Sequence, residues 1–274
     1  MTDDAQPHIT LASGVRMPQI GLGLWQTPAD ETATVVADAL EAGYLAVDTA
    51  ASYQNEEGVG EALAGRDDIF VTTKLWNTDQ GFDETLRAFD QSARKLRRAV
   101  IDLYLIHWPS PRRNRFVESW KALIRLKAEG RIRAIGVSNF DPVHLERIID
   151  DTGVVPDINQ IELHPRFQQL ERRAFHEQNG IATESWSPLG RGTMLRDPVL
   201  TAIAARHGKT AAQVIIRWHL ENGLAVIPKS VHPQRLRENL HVFDFRLSQE
   251  DMAAIGTLDS AAGRMGPEPA TAEF

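Results

Sequence analysis

The chain has 274 residues, a formal net charge of −7 and no cysteine. That length supports a substantial core in one α/β barrel or two smaller domains. The acidic balance argues against a general nucleic-acid binder, and the lack of cysteine removes disulfides, thiolate metal sites and thiol nucleophiles.

In chain order, Met1 to Pro7 is polar and acidic and lacks the charged and apolar regions of a signal peptide. No apolar run approaches the ~18 residues of a membrane span, so a soluble, cytoplasmic protein with no membrane or nucleic-acid partner is expected. Ile9-Thr10-Leu11 and Val15-Arg16-Met17 flank Ala12-Ser13-Gly14, which predicts a small hairpin able to close the bottom of a barrel. Eight short apolar runs follow as strand candidates: Gln19 to Leu24, Leu45 to Val47, Ile69 to Thr73, Ile101 to Ile106, Ile132 to Val137, Ile158 to Leu163, Ile181 to Ser185 and Leu224 to Ile227.

Helical spacing separates them. Phe82, Leu86, Phe89, Ala93 and Leu96 recur at three and four residues, as do Val35, Ala39 and Ala42, then Leu145, Ile148 and Ile149, then Ala211, Val214, Ile215 and Trp218. Trp120 and Trp218 read as core. Two helices are expected between Trp186 and Leu224, and a short one near Ser248 to Leu258, where Ser248 is an N-cap before the acidic turn Gln249-Glu250-Asp251. From Ala262 onward, Gly, Pro and Ala predict a tail. The βα alternation predicts one α/β (β/α)8 TIM-barrel domain over residues 1–274, with the N-terminal β-hairpin and extra helices near the C-terminus. A doubly wound sheet is the alternative.

TIM-barrel sites form at the C-terminal ends of the strands. Asp48 follows the second run, Lys74 the third, His107 the fourth, Ser138 and Asn139 the fifth, Trp186 and Ser187 the seventh, and Lys229 and Ser230 the eighth, while Gln160 lies within the sixth. Alone, each is as well explained as a surface or core group. Their recurrence at strand after strand points to a site.

Tyr53, Lys74, Asp48 and His107 make a set suited to carbonyl reduction. A phenol with pKa ~10 is a reluctant acid, and an adjacent ammonium favours its phenolate, which predicts a lowered Tyr53 pKa. Asp48 can hold Lys74 charged, and a neutral His107 can donate a hydrogen bond to a substrate oxygen. A Schiff-base nucleophile at Lys74 in an aldolase or isomerase is the rival enzyme reading. A non-catalytic dinucleotide sensor on the same barrel is the third.

Longer motifs carry a resemblance: Asp48-Thr49-Ala50 to Tyr53, Thr73-Lys74-Leu75-Trp76, Leu105-Ile106-His107-Trp108-Pro109, Gly136-Val137-Ser138-Asn139, Gln160-Ile161-Glu162-Leu163-His164-Pro165 and Ile227-Pro228-Lys229-Ser230. The sequence resembles the aldo-keto reductase superfamily, and within it bacterial 2,5-diketo-D-gluconate reductases. The resemblance implies a monomer that binds NADPH without a Rossmann domain and reduces aldehydes or ketones, with Asp48, Tyr53, Lys74 and His107 as the catalytic tetrad. In agreement, Gly21-Leu22-Gly23 and Gly190-Arg191-Gly192 lack the third glycine of a dinucleotide fingerprint.

The resemblance also implies cofactor positions. Ser138, Asn139 and Gln160 would hold the carboxamide, Trp186 would stack on the nicotinamide, and Ser187, Leu189 and Gly190 would line the pyrophosphate. Lys229, Ser230, Val231 and Arg235 would clamp the 2′-phosphate, with Glu238 and Asn239 near the adenine. Lys and Arg beside a Ser at a helix start independently suit an anion. Trp25, Trp76 and Trp108 are candidate substrate walls, with packing between loops as the alternative. Arg112, Arg113 and Arg115 read as a solvated face and His164 as structural. The histidines lack paired metal spacing, so no metal is expected. Diketo sugar acids, small dicarbonyls and simple aldehydes all remain open as substrates.

Overall fold

The computed structural model describes residues 6–272, so the expectations for Met1–Ala5 and for Glu273 and Phe274 lie outside the described residues. Strands β1 (His8–Thr10) and β2 (Arg16–Pro18) pair antiparallel, with Ile9 opposite Met17. Leu11 and Met17 turn inward from this hairpin and close the bottom of the barrel.

Eight parallel strands follow: β3 (Leu22–Gly23), β4 (Ala46–Asp48), β5 (Phe70–Leu75), β6 (Ile101–Ile106), β7 (Ile132–Ser138), β8 (Ile158–Glu162), β9 (Ala182–Trp186) and β10 (Ala225–Val226). They hydrogen-bond in sequence order. The ring closes where Ile20 bridges Val226, through Gly21 N–H to Val226 O and Val226 N–H to Gln19 O, both 2.9 Å. The two end strands are shorter than the apolar runs predicted. Pro228 has no N–H to continue a ladder, and a Cβ at Gly23 would stand 2.7 Å from Ile227 O.

The surrounding helices are α1 (Ala29–Ala42), α2 (Glu56–Ala62), α3 (Phe82–Lys95), α4 (Phe116–Ala128), α5 (Pro142–Thr152), α6 (Leu170–Gln178), α7 (Pro198–His207), α8 (Ala211–Glu221), α9 (Pro233–Leu240) and α10 (Gln249–Gly256). Both helices expected between Trp186 and Leu224 are present. In α8, the Thr210 hydroxyl accepts from Gln213 N–H and the Gln213 side chain returns the bond, while Ala211, Val214, Ile215 and Trp218 are buried. Ser248 caps α10 in the same reciprocal way with Asp251. Among the described residues no helix is long and apolar enough to cross a membrane.

Strand parity divides the core. Tyr104 and Ile106 pack toward the helices, whereas Leu103 and Leu105 join Ala46, Phe70, Ala134, Ile158, Ala182 and Ala225 in the barrel interior. That lower interior is apolar. Two residues further along the same strands stand Asp48, Gln160 and Glu184, all buried, and four residues beyond Phe70 stands Lys74. The interior therefore changes from hydrocarbon to charge along the barrel axis.

The glycine- and proline-rich C-terminal segment differs from a free tail. It forms a short 3-10 turn at Ala261–Gly263 and then lies against the barrel. Met265 and Gly266 N–H groups donate to the Glu162 carboxylate at 2.7 and 2.8 Å. A Cβ at Gly266 would come 2.5 Å from the Trp186 indole, so this crossing requires glycine.

Candidate active site

The site gathers at the upper, charged end of the barrel. β5 runs on to Leu75, so Lys74 lies inside the strand, not after it as the apolar run suggested, and its side chain is wholly buried. Its Nζ donates to Asp48 Oδ1 at 2.5 Å and to Thr49 O at 2.9 Å. The same ammonium is 5.1 Å from the Tyr53 ring centroid.

A 3-10 turn at Ala51–Tyr53 carries the phenol from the end of β4 back over the barrel. Asn55 anchors that loop. Its Oδ1 accepts from Thr49 Oγ1 at 2.5 Å, and its amide donates to Leu24 O and Thr27 O.

His107 follows β6 and meets Tyr53 and Trp76 edge-on, with ring centroids 5.6 and 5.3 Å apart. Ser52 Oγ lies 3.4 Å from its Nδ1. With Nδ1 accepting from that hydroxyl, the Nε2 proton is available to a ligand. Burial, reinforced by the Lys74 charge, holds His107 well below the usual imidazole range, so it is neutral near neutrality.

The expected lowering of the Tyr53 pKa is reversed. Burial is the largest influence and raises it; Lys74 pulls it down, but Asp48 and Glu184 push it up again. The net direction is upward. Lys74 itself is raised, because Asp48 and Tyr53 more than offset the burial that would discharge it. Asp48 is pushed above the usual carboxylate range by burial, against the opposing pull of Lys74 and Gln160.

Beside this set runs a second hydrogen-bonded chain. Asn139, at φ 63°, donates to His107 O and to Ser138 Oγ, each at 3.0 Å, and accepts from Trp186 Nε1 at 2.8 Å. Ser138 Oγ donates to Gln160 O at 2.9 Å. Gln160 gives its amide hydrogens to Asp48 Oδ2 at 2.8 Å and Glu184 Oε2 at 2.6 Å, which leaves its carbonyl for a ligand.

The loop after β9 passes through left-handed backbone at Ser187, Gly190, Arg191 and Gly192. Leu189 packs inward, and the Arg191 guanidinium lies 4.9 Å over the Trp25 ring. Lys229 and Arg235 are exposed around the start of α9, and neither makes an ion pair among the described residues. Ser230 Oγ accepts from His232 N–H at 3.1 Å, and Val231 is half-buried. Glu238 is tied to Thr210 at 2.7 Å, and Asn239 is buried beside Tyr44.

The candidate substrate residues separate. Trp76 flanks His107, Trp25 is 40 % exposed under Arg191, and Trp108 is 7 % exposed with its carbonyl held by Gln80. Arg115 pairs with Glu84 and Glu118 on the surface. His164 is buried with Nε2 3.1 Å from Glu162.

Two acidic side chains escaped the sequence reading. Glu184 shares Gln160 with Asp48, and the signal was its position two residues before Trp186, on the same strand face. Glu162 anchors the C-terminal segment. Burial works against its charge, but His164 and two backbone N–H groups hold it below the usual carboxylate range.

A buried ammonium–carboxylate pair beneath a phenol, next to a neutral imidazole, can donate a proton to an oxygen and stabilise the phenolate left behind. Comparison with known proteins gives the family. The Aldo/keto reductase family model matches residues 19–260. An aldo-keto reductase of Mycolicibacterium smegmatis is 56 % identical over 98 % of both chains. Methylglyoxal reductase DkgA of Escherichia coli K12 is 49 % identical, covering 95 % of this chain and 96 % of its own. A solved mutant of Gox0644 in complex with NADPH is 60 % identical, with a TM-score of 0.97 over 98 % of this chain and 100 % of its own. The chain belongs to the aldo/keto reductase family.

Proposed function

We propose that this chain, as one barrel domain, reduces small dicarbonyls or keto sugar acids to alcohols with NADPH, and that Tyr53 is the general acid. The observation that carries the reading is the buried Lys74–Asp48 pair at 2.5 Å, set beside Tyr53 and neutral His107. Bound NADPH would supply the hydride to the carbonyl carbon.

The residues present fit that cofactor. Ser138, Asn139 and the side-chain carbonyl of Gln160 form a polar rim beside half-exposed Trp186, and Lys229 and Arg235 offer charges that no carboxylate of the described residues pairs with. Arg also suits a phosphate through bidentate hydrogen bonds.

His107 Nε2–H orients the substrate oxygen toward Tyr53, which gives up its proton as negative charge develops there. The Lys74 ammonium then faces the phenolate, and Asp48 keeps that ammonium in place. A raised Tyr53 pKa keeps the phenol protonated through neutrality. Trp76 beside His107 forms the inner wall, and Trp25 with Arg191 the outer.

The choice of dicarbonyls is supported by the relative named methylglyoxal reductase. A panel of methylglyoxal, keto sugar acids and simple aldehydes, followed by loss of NADPH absorbance, tests it. Preference for simple aldehydes over every dicarbonyl would refute the substrate class, and no oxidation of NADPH with any carbonyl would refute the activity.

A further inference from the structure

Glu184 has no part in the reading above, yet it is 1 % exposed in the charged end of the barrel. Gln160 stands between it and Asp48, donating 2.6 Å to Glu184 Oε2 and 2.8 Å to Asp48 Oδ2. One cation, Lys74, thus serves two buried carboxylates. Asp48 has the ammonium at 2.5 Å as well as the amide, whereas Glu184 has the amide. A second uncompensated negative charge in this interior is expensive, so the proton belongs on the carboxyl with the poorer set of donors.

We propose that Glu184 is a positioning residue which holds a proton in the resting enzyme and, through Gln160 and Asp48, sets how readily Tyr53 releases its own. Burial and then the Asp48 charge push Glu184 up to about 8, against the weaker pull of Gln160 and Lys74. The charged or titratable groups facing it are Asp48 from β4, Lys74 from β5 and Tyr53 from the turn after β4; the residue opposite it on β10 is Ala225.

With Glu184 neutral, Lys74 balances Asp48, and a phenolate forming at Tyr53 meets a neutral pair. Ionised Glu184 adds a negative charge that makes the phenolate costlier. Tyr53 is therefore a better acid while Glu184 keeps its proton.

This rests on Tyr53 as the proton donor, so the test reads protonation, not turnover. The chain has three tyrosines, and burial raises Tyr44 and Tyr104 strongly, so subtracting a Tyr53→Phe titration isolates the Tyr53 phenolate absorbance. In Glu184→Gln that absorbance should appear about one pH unit lower than in the wild-type chain. Infrared difference spectra of wild type should show a protonated carboxyl near neutrality that ionises around pH 8, and this band should be missing in Glu184→Gln.

An unchanged phenolate onset, or no such carboxyl band in wild type, would overturn the proposal. If Glu184→Gln does not fold, the wild-type band decides. Carbonyl reduction that survives Tyr53→Phe would instead sink the catalytic reading and leave both titrations interpretable.

Discussion

Lys74 Nζ and Asp48 Oδ1 lie 2.5 Å apart in a pair fully removed from solvent. The partners come from neighbouring strands, and each is the other's counter-charge. Breaking such a pair strands a buried charge, which typically costs about 3–5 kcal/mol. Asp48→Asn and Lys74→Met should each lower the unfolding free energy by that order. The double variant should lose less than the sum of the singles, and a double-mutant cycle in urea reads the coupling. Strict additivity would mean the pair is not coupled.

Tyr53→Phe should keep NADPH affinity, measured by fluorescence titration, and cut kcat for methylglyoxal by about a hundredfold to ten-thousandfold. The aromatic ring survives in this variant and only the hydroxyl is lost, so loss of packing does not account for the effect. Unchanged steady-state turnover would remove Tyr53 from the role of acid.

Arg235→Leu should raise KM for NADPH on the order of tenfold, the loss of one charge-assisted hydrogen bond. KM for NADH should barely move. Equal effects on both cofactors would show that the exposed guanidinium does not read a 2′-phosphate.

Acid should destabilise the fold through two buried histidines. His176 Nε2 faces the Asn159 amide at 2.9 Å, which requires a neutral ring, and burial lowers both His176 and His219 to about 4. A base depressed in the folded state adds stability that is complete above its unfolded value, ~6.5, and is lost as pH falls toward 4. Each contributes on the order of 3 kcal/mol of that loss. Denaturant midpoints measured from pH 7 down to 4 should fall, and His176→Gln should flatten the slope. A slope unaltered by that variant would refute the assignment.

Glu162→Gln should loosen the C-terminal segment, because a neutral amide accepts more weakly from the Met265 and Gly266 N–H groups. Limited proteolysis beyond Arg264 should speed up about tenfold, with global stability little changed. Equal cleavage rates would show that the segment is held elsewhere.

Much of this was legible in the chain. Apolar runs placed all eight barrel strands, and the residues that follow them include Asp48, Lys74 and His107, which the fold gathers around Tyr53. What escaped depends on three-dimensional sums. The influence of Lys74 on Tyr53 has the sign expected from sequence, but the extent of burial decides the net direction, and burial is not written in neighbouring residues.

Glu184 was hidden in Ala-Thr-Glu-Ser-Trp, where a charge in a strand suggests an outward face; only parity with Trp186 turns it inward. The bonds from the C-terminal segment to Glu162 come from backbone N–H groups, which every residue but proline possesses, so composition could not reveal that contact.

The axial change inside the barrel, from Ala46, Ile158 and Ala182 to Asp48, Gln160 and Glu184, separates two kinds of tolerance. Substitutions in the hydrocarbon storey tax folding and leave the reaction's pH response alone; those in the storey above alter charge at little cost in packed volume. A lineage built on this scaffold can therefore retune its acid without rebuilding its foundation.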